Sequence, residues 1–149
     1  MILFLDSDSI CKRYLRDEDN IDETLLAMEA ADVLAASILS YVEVRGVLAR
    51  ARRVRRIRSA SSYARITAEF EVDWDGYFRI ALSDEIIAEA GRLAERYFLR
   101  GVDAILLATA LALSSKSFEP VEISTWDRNS GLVAAIQSEG LSLAHEVTA

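Results

Sequence analysis

The sequence predicts an α/β fold, a parallel β-sheet with helices on both faces. Residues 2–5 form an apolar run that stops at an acidic, hydroxyl-rich turn, residues 33–36 form a second short apolar run, and Val121-Glu122-Ile123-Ser124 follows Pro120 as a further strand. Longer segments of helical period stand between them. Strands that alternate with helices in this way build a parallel sheet.

The elements follow in order. Ile2–Leu5 is a first strand, ended by Asp6-Ser7-Asp8-Ser9. Helices are expected from about Ser9 to Arg16 and from Ile21 to Ala31, the second with Leu25, Leu26 and Met28 facing inward. Val33–Ala36 is a second strand. Val44, Val47, Leu48 and Ala51 mark a helix from Ser40 to about Arg56, and another runs from Ser59 to Glu71. Trp74, Tyr77 and Phe78 lie in a connecting stretch packed on the sheet edge. Ser83-Asp84-Glu85 opens a helix ending near Phe98, and Gly101 precedes an apolar helix from Val102 to about Leu113. Pro120 blocks helix continuation and introduces the strand Val121–Ser124. Asp127 or Asn129 caps a helix to about Gln137, and Gly140 stops it before the last strand, Leu141–Leu143.

Composition narrows the class. The 149 residues match one ordinary domain, 1–149, and 52% of them are hydrophobic, so a core can form without disulfides. The lone Cys11 cannot form an internal disulfide, which fits a reducing cytoplasm. No apolar run approaches the ~20 residues that span a bilayer. Residues 1–5 carry no leading positive side chain and read as a strand, not a signal peptide. A cytoplasmic protein without a membrane partner is expected.

Net charge is −7, yet local distribution decides where a polyanion docks. Arg50, Arg52, Arg53, Arg55, Arg56 and Arg58 crowd one short stretch. This is either a solvated helix end that suits the macrodipole or a surface for RNA or an acidic partner.

Ligands of open parallel sheets bind beyond the carboxyl ends of the strands, and four carboxylates stand there or at helix starts: Asp6, Glu43, Asp103 and Asp127. Each alone can be a cap. Glu43 follows Ser40 by three residues, as in a capping box, Asp103 suits a helix dipole, and Asp6 and Asp127 can be N-caps. Together they imply more. Asp103 sits among Val102, Ala104, Ile105, Leu106 and Leu107, where an unpaired charge is costly. Converging carboxylates repel unless a cation neutralises them, and no basic residue is evidently placed beside all four. Oxygen ligands without His or Cys suit Mg²⁺ or Mn²⁺ rather than zinc. His145, the sole histidine, is expected at the surface.

Met1-Ile-Leu-Phe-Leu-Asp6-Ser-Asp-Ser-Ile, Leu39-Ser-Tyr-Val-Glu43-Val-Arg, Leu99-Arg-Gly-Val-Asp103-Ala-Ile-Leu-Leu-Ala-Thr-Ala and Ser124-Thr-Trp-Asp127 resemble the four motifs of PIN-domain proteins. The likeness is greatest to VapC-like toxins of bacterial toxin–antitoxin pairs, and it covers essentially the whole chain. The resemblance implies a three-layer α/β/α fold and a Mg²⁺- or Mn²⁺-dependent endoribonuclease, with Asp6, Glu43, Asp103 and Asp127 holding the metal. It also implies a homodimer and a cognate antitoxin, whose helical part would bury its apolar face around Ile10, Tyr14, Leu25 and Leu39. Thr125 matches a family hydroxyl position, and is equally readable as an ordinary strand-end threonine.

Asp8 departs from the family, which commonly has a small hydroxyl or Asn there. Asp6-x-Asp8 after an apolar strand also resembles the first motif of haloacid-dehalogenase-like phosphotransferases, with an aspartate nucleophile and an aspartate acid/base. Only two lysines, Lys12 and Lys116, and no later paired acidic motif of that superfamily's form accompany it. A third reading keeps the fold as a non-catalytic interaction module, against which the four intact carboxylates stand.

Overall fold

A computed structural model describes residues 1–128 and 130–146. The chain runs β1 (Ile2–Leu5), α1 (Ser7–Cys11), α2 (Ile21–Ala30), β2 (Val33–Ser37), α3 (Leu39–Arg53) and α4 (Ala60–Asp75). It continues through β3 (Phe78–Ile80), α5 (Asp84–Tyr97), α6 (Gly101–Lys116), β4 (Val121–Ser124), α7 (Leu132–Ser138) and β5 (Ser142–Leu143). The sheet order is β3-β2-β1-β4-β5 and every pairing is parallel.

Alternation along β1 builds the layers. Leu3 and Leu5 point into one core with Ile10, Val44, Leu48, Phe70 and Trp74, from α1, α3 and α4. Phe4 points the other way, into a second core with Leu93, Leu107, Ile123 and Ile136, from α5, α6, β4 and α7. Successive strand side chains take opposite faces, so a central strand covered on both sides must be apolar throughout. The result is the three-layer α/β/α arrangement.

Several local expectations are corrected. α1 starts at Ser7, because Asp6 caps it by accepting from the Ser7 amide, and it stops at Cys11. Leu26 is 63% exposed, while Leu25 and Met28 pack inward. Trp74 lies within α4, and Phe78 opens β3, whose three residues pair with β2 at the sheet edge. Ser40 is inside α3 rather than its cap: Ile38 holds the N-cap position without a side-chain bond, so no capping box forms with Glu43. α7 begins at Leu132 with Gly131 at its N-cap, where φ is 77°. A left-handed residue there favours glycine. Asp127 therefore does not cap α7, and Asn129 lies outside the described residues.

Among the described residues no single helix is long and apolar enough to cross a membrane. The consecutive pair α5 and α6 is apolar enough taken together, but meets at 119° and packs on the sheet.

Candidate functional site

Strand order reverses between β1 and β4. β2 and β3 are laid down to one side of β1, and β4 and β5 to the other. At such a reversal the connections leave in opposite directions, opening a crevice beyond the strand ends. Register makes Leu5 and Ser124 neighbours, which places Asp6 beside Thr125.

The strand side of this crevice is tightly bonded. The Asp6 amide donates to the Ser124 carbonyl at 2.9 Å. Its carboxylate accepts from the Ser7 amide at 2.7 Å and from Thr125 Oγ1 at 2.8 Å. Thr125 is fully buried at the end of β4. Its Oγ1 also accepts from the Asp127 amide at 3.3 Å. Asp8 Oδ2 accepts from the Trp126 amide at 2.8 Å, and Oδ1 accepts from Ser9 Oγ at 3.1 Å. Asp8 thus ties the turn after β1 to the turn after β4.

Glu43 reaches the crevice from the first turns of α3, which follows β2 directly. Asp103 reaches it from the first turn of α6 and is 7% exposed. Asp6, Asp8, Glu43, Asp103 and Asp127 line one pocket of about 560 Å³. The four carboxylates singled out in the sequence, together with Asp8, come from four separate stretches of chain. Arg100 is the one cationic side chain in that lining. Its Nε donates to Asp103 Oδ2 at 2.9 Å and its Nη2 to Asp127 Oδ2 at 3.2 Å.

One guanidinium does not neutralise five carboxylates. Burial holds Asp6 well above the ordinary carboxylate range. The charges of Asp8 and Glu43 add to this, while the bonds from Thr125 and Ser7 oppose it. Burial also raises Asp8, against the bonds from Trp126 and Ser9 and the charge of Lys12. Glu43 is raised by burial and then by Asp103 and Asp8, with Arg100 opposing. Charges raised in this way are stabilised by a nearby cation.

The donor set is all oxygen, which fits a hard divalent ion that keeps several of its own waters. Among the described residues no three His, Cys, Asp or Glu side chains stand close enough together, as placed, to hold a metal ion. The carboxylates stand around the pocket wall, with Arg100 bridging two of them.

Arg100 is the residue the sequence reading passed over. Its signal was its place three residues before Asp103 at a helix start, where i and i+3 side chains meet. His145 is a second correction. It is half-buried, stacked on Trp126 with ring centroids 4.0 Å apart, and its Nε2 lies 3.2 Å from Ser124 Oγ. Trp126 Nε1 donates to Thr24 Oγ1 at 2.8 Å. The residue between Thr125 and Asp127 is therefore anchored from two sides.

Known proteins resemble this chain in sequence and in fold. The PIN domain family model matches residues 3–125. Two curated relatives, ribonuclease VapC45 and ribonuclease VapC49 from strains of Mycobacterium tuberculosis, are each 33% identical over 104 residues. Those alignments cover 67% of this chain and 67% of each relative. Among solved structures, a toxin–antitoxin complex from Klebsiella pneumoniae superposes with a TM-score of 0.67 at 20% identity, covering 97% of this chain and 99% of that one. FitAcB from Neisseria gonorrhoeae gives 0.65 at 16% identity, covering 96% of each chain. At such identities the structures speak for the fold alone. The family match over most of the sequence, with the 33% relatives, shows that the chain belongs to the PIN domain family.

Proposed function

We propose that the chain is a divalent-metal-dependent endoribonuclease and the toxin of a toxin–antitoxin pair. One observation carries the reading: carboxylates from the turn after β1, from α3, from α6 and from the turn after β4 line a single pocket at the reversal of the sheet. The two curated relatives are named ribonucleases, and the solved neighbours include toxin–antitoxin complexes.

In this reading Asp6, Glu43, Asp103 and Asp127 hold Mg²⁺ or Mn²⁺. Such an ion lowers the pKa of a bound water and offsets charge on the attacked phosphate. Thr125 fixes the orientation of Asp6 through its 2.8 Å bond. Asp8 positions Asp127 by holding the neighbouring Trp126 amide. The phosphotransferase reading fits less well, because both Asp8 oxygens are engaged with Trp126 and Ser9.

A cytoplasmic location, a homodimer and an antitoxin partner complete the proposal. A groove of about 780 Å³ supports an antitoxin seat with an apolar floor of Leu25, Met28, Leu34 and Val72 and a charged rim that includes Arg13, Arg16 and Arg65, while Leu39 lies outside its lining. Ile10 is fully buried in the core and takes no part in it.

Purified protein with Mn²⁺ should cut single-stranded RNA and leave a phosphomonoester intact, and EDTA should stop the cutting. Phosphate release from the monoester, an aspartyl-phosphate at Asp6 and uncut RNA would replace this reading with the phosphotransferase one. No reaction with either would leave the interaction module. Co-expression with the product of the adjacent gene should relieve growth arrest if the toxin role holds.

A further inference from the structure

A nuclease pocket lined by five carboxylates, in a chain of net charge −7, repels the polyanion it must cut. Affinity for RNA comes mainly from cations that neutralise phosphates. On the nuclease reading, a positive surface is therefore required elsewhere on the molecule.

The turn between α3 and α4 supplies one. Arg13, Arg16, Arg55, Arg56, Arg58 and Arg65 line a groove of about 600 Å³ whose only acidic lining is Asp17 and Glu69. A merely solvated helix end would be loose, and this turn is pinned. Ile57 is buried in the core, and its amide donates to the Ala51 carbonyl at 3.2 Å. Arg52 Nη1 donates to the carbonyls of Ile57 and Arg58 at 3.3 and 3.2 Å. Arg56 is clamped by both Asp17 oxygens at 2.8 Å and by Glu18 at 3.2 Å. Arg55 is held at φ 62°, a left-handed conformation that a non-glycine residue adopts only when its surroundings impose it.

Those ties consume Arg52 and Arg56 and present Arg55 and Arg58 to solvent beside Arg16. Among the described residues these three make no ion pair, and all are exposed. Guanidinium groups match phosphate oxygens in a two-pronged geometry that lysine lacks. The groove lining has no lysine and no exposed aromatic ring, so it suits the backbone of a strand rather than its bases.

We propose that this arginine groove binds the phosphates of single-stranded RNA outside the cutting site. Arg16, Arg55 and Arg58 make the contacts. The groove lies roughly 16 Å along the axis of α3 from Glu43, at 1.5 Å per residue. That span corresponds to about five nucleotides of stacked strand.

The test rests on the nuclease reading for its motive but not for its readout. Binding of a labelled, unstructured twelve-nucleotide RNA is measured by anisotropy in EDTA across a salt series. The variant carries Arg16→Ser, Arg55→Ser and Arg58→Ser together, and a second carries Lys at all three positions. The serine variant should bind at least about tenfold more weakly at low salt. Its slope of log affinity against log salt should be smaller by about 2, from three contacts at ~0.7 each, and the lysine variant should restore most of that slope. An unchanged affinity and slope in the serine variant overturns the proposal. So does a variant that binds RNA normally but loses an Asp/Glu-rich peptide, which would give the groove to an acidic protein partner. RNA bound through the groove but never cut with Mn²⁺ would leave this proposal standing and remove the nuclease reading.

Discussion

The two sides of the acidic pocket are built by different means. On the strand side, Asp6 and Asp8 accept bonds from Ser7, Thr125, Trp126 and Ser9. On the helix side, Asp103 is tied by Arg100, a side chain 73% exposed that also reaches across to Asp127 in the turn after β4. The strand side is preorganised by backbone; the helix side is bridged by a cation that another cation can replace. Glu43 shares the helix side, its pKa raised by burial and then by the charges of Asp103 and Asp8.

The largest expected effect is common to both sides. Asp6→Asn and Asp103→Asn should each lower Mn²⁺-dependent RNA cleavage by more than about 10²-fold, beyond what loss of a supporting partner causes. Circular dichroism should remain native. Wild-type cleavage by Asp103→Asn would break the assignment of the helix side.

Asp8 sharpens the comparison. Asp8→Asn keeps an acceptor for the Trp126 amide, so its loss should fall in the ~10–100-fold range typical of supporting residues. A larger loss than for Asp6→Asn, with phosphate trapped on Asp6, would make Asp8 an acid/base catalyst instead.

Arg100→Gln addresses the replaceable bridge. Removing an exposed guanidinium that competes for Asp103 and Asp127 should tighten Mn²⁺ binding about two- to fivefold, the scale of an exposed pair. Isothermal titration reads this without any cleavage. Weaker binding in the variant would show that Arg100 supports the ion rather than competing with it.

The smallest effect is on stability. Asp6, Asp8 and Glu43 are raised by folding, so the folded chain holds protons that the unfolded chain gives up near pH 4. Their contribution is therefore greatest at low pH and is lost as pH rises through their folded values. Asp17 and Asp32, lowered by Arg56 and the N-terminal amine, act below pH 4 and leave this window unchanged, whereas His145, lowered by burial, works against the trend inside it, one group against three. Metal-free protein should thus have a higher urea midpoint at pH 5 than at pH 7, and Mn²⁺ should narrow the gap. A midpoint that rises from pH 5 to pH 7 without metal contradicts the sign.

Sequence carried the layers and the acidic set further than it carried the means of holding them. β1 was legible because a strand covered on both faces is continuously apolar, and β4 because Val121 and Ile123 follow Pro120, which like Gly140 marks where a helix must stop. β3 was not legible: Phe78 and Arg79 are exposed on an edge strand of three residues, too short for any period. α7 was placed too early because Asp127 is a common capping type, while the cap position went to Gly131 in a left-handed conformation. Asp103 was legible as a charge inside an apolar run. Arg100 was not, because its two partners lie 3 and 27 residues away, and only the fold brings Asp127 within reach. His145 was misplaced for the same reason, since its stack on Trp126 depends on the pairing of β4 with β5.

The central claim is that the five-carboxylate pocket is a divalent-metal site, and Mn²⁺ located by anomalous diffraction in crystals of this chain tests it most directly. The account predicts an ion in the pocket, with oxygens of Asp6, Glu43, Asp103 and Asp127 directly at ~2.0–2.6 Å or through its waters, and Arg100 withdrawn from its bridge. An ion found elsewhere, or a pocket still closed by Arg100 at saturating Mn²⁺, would contradict it.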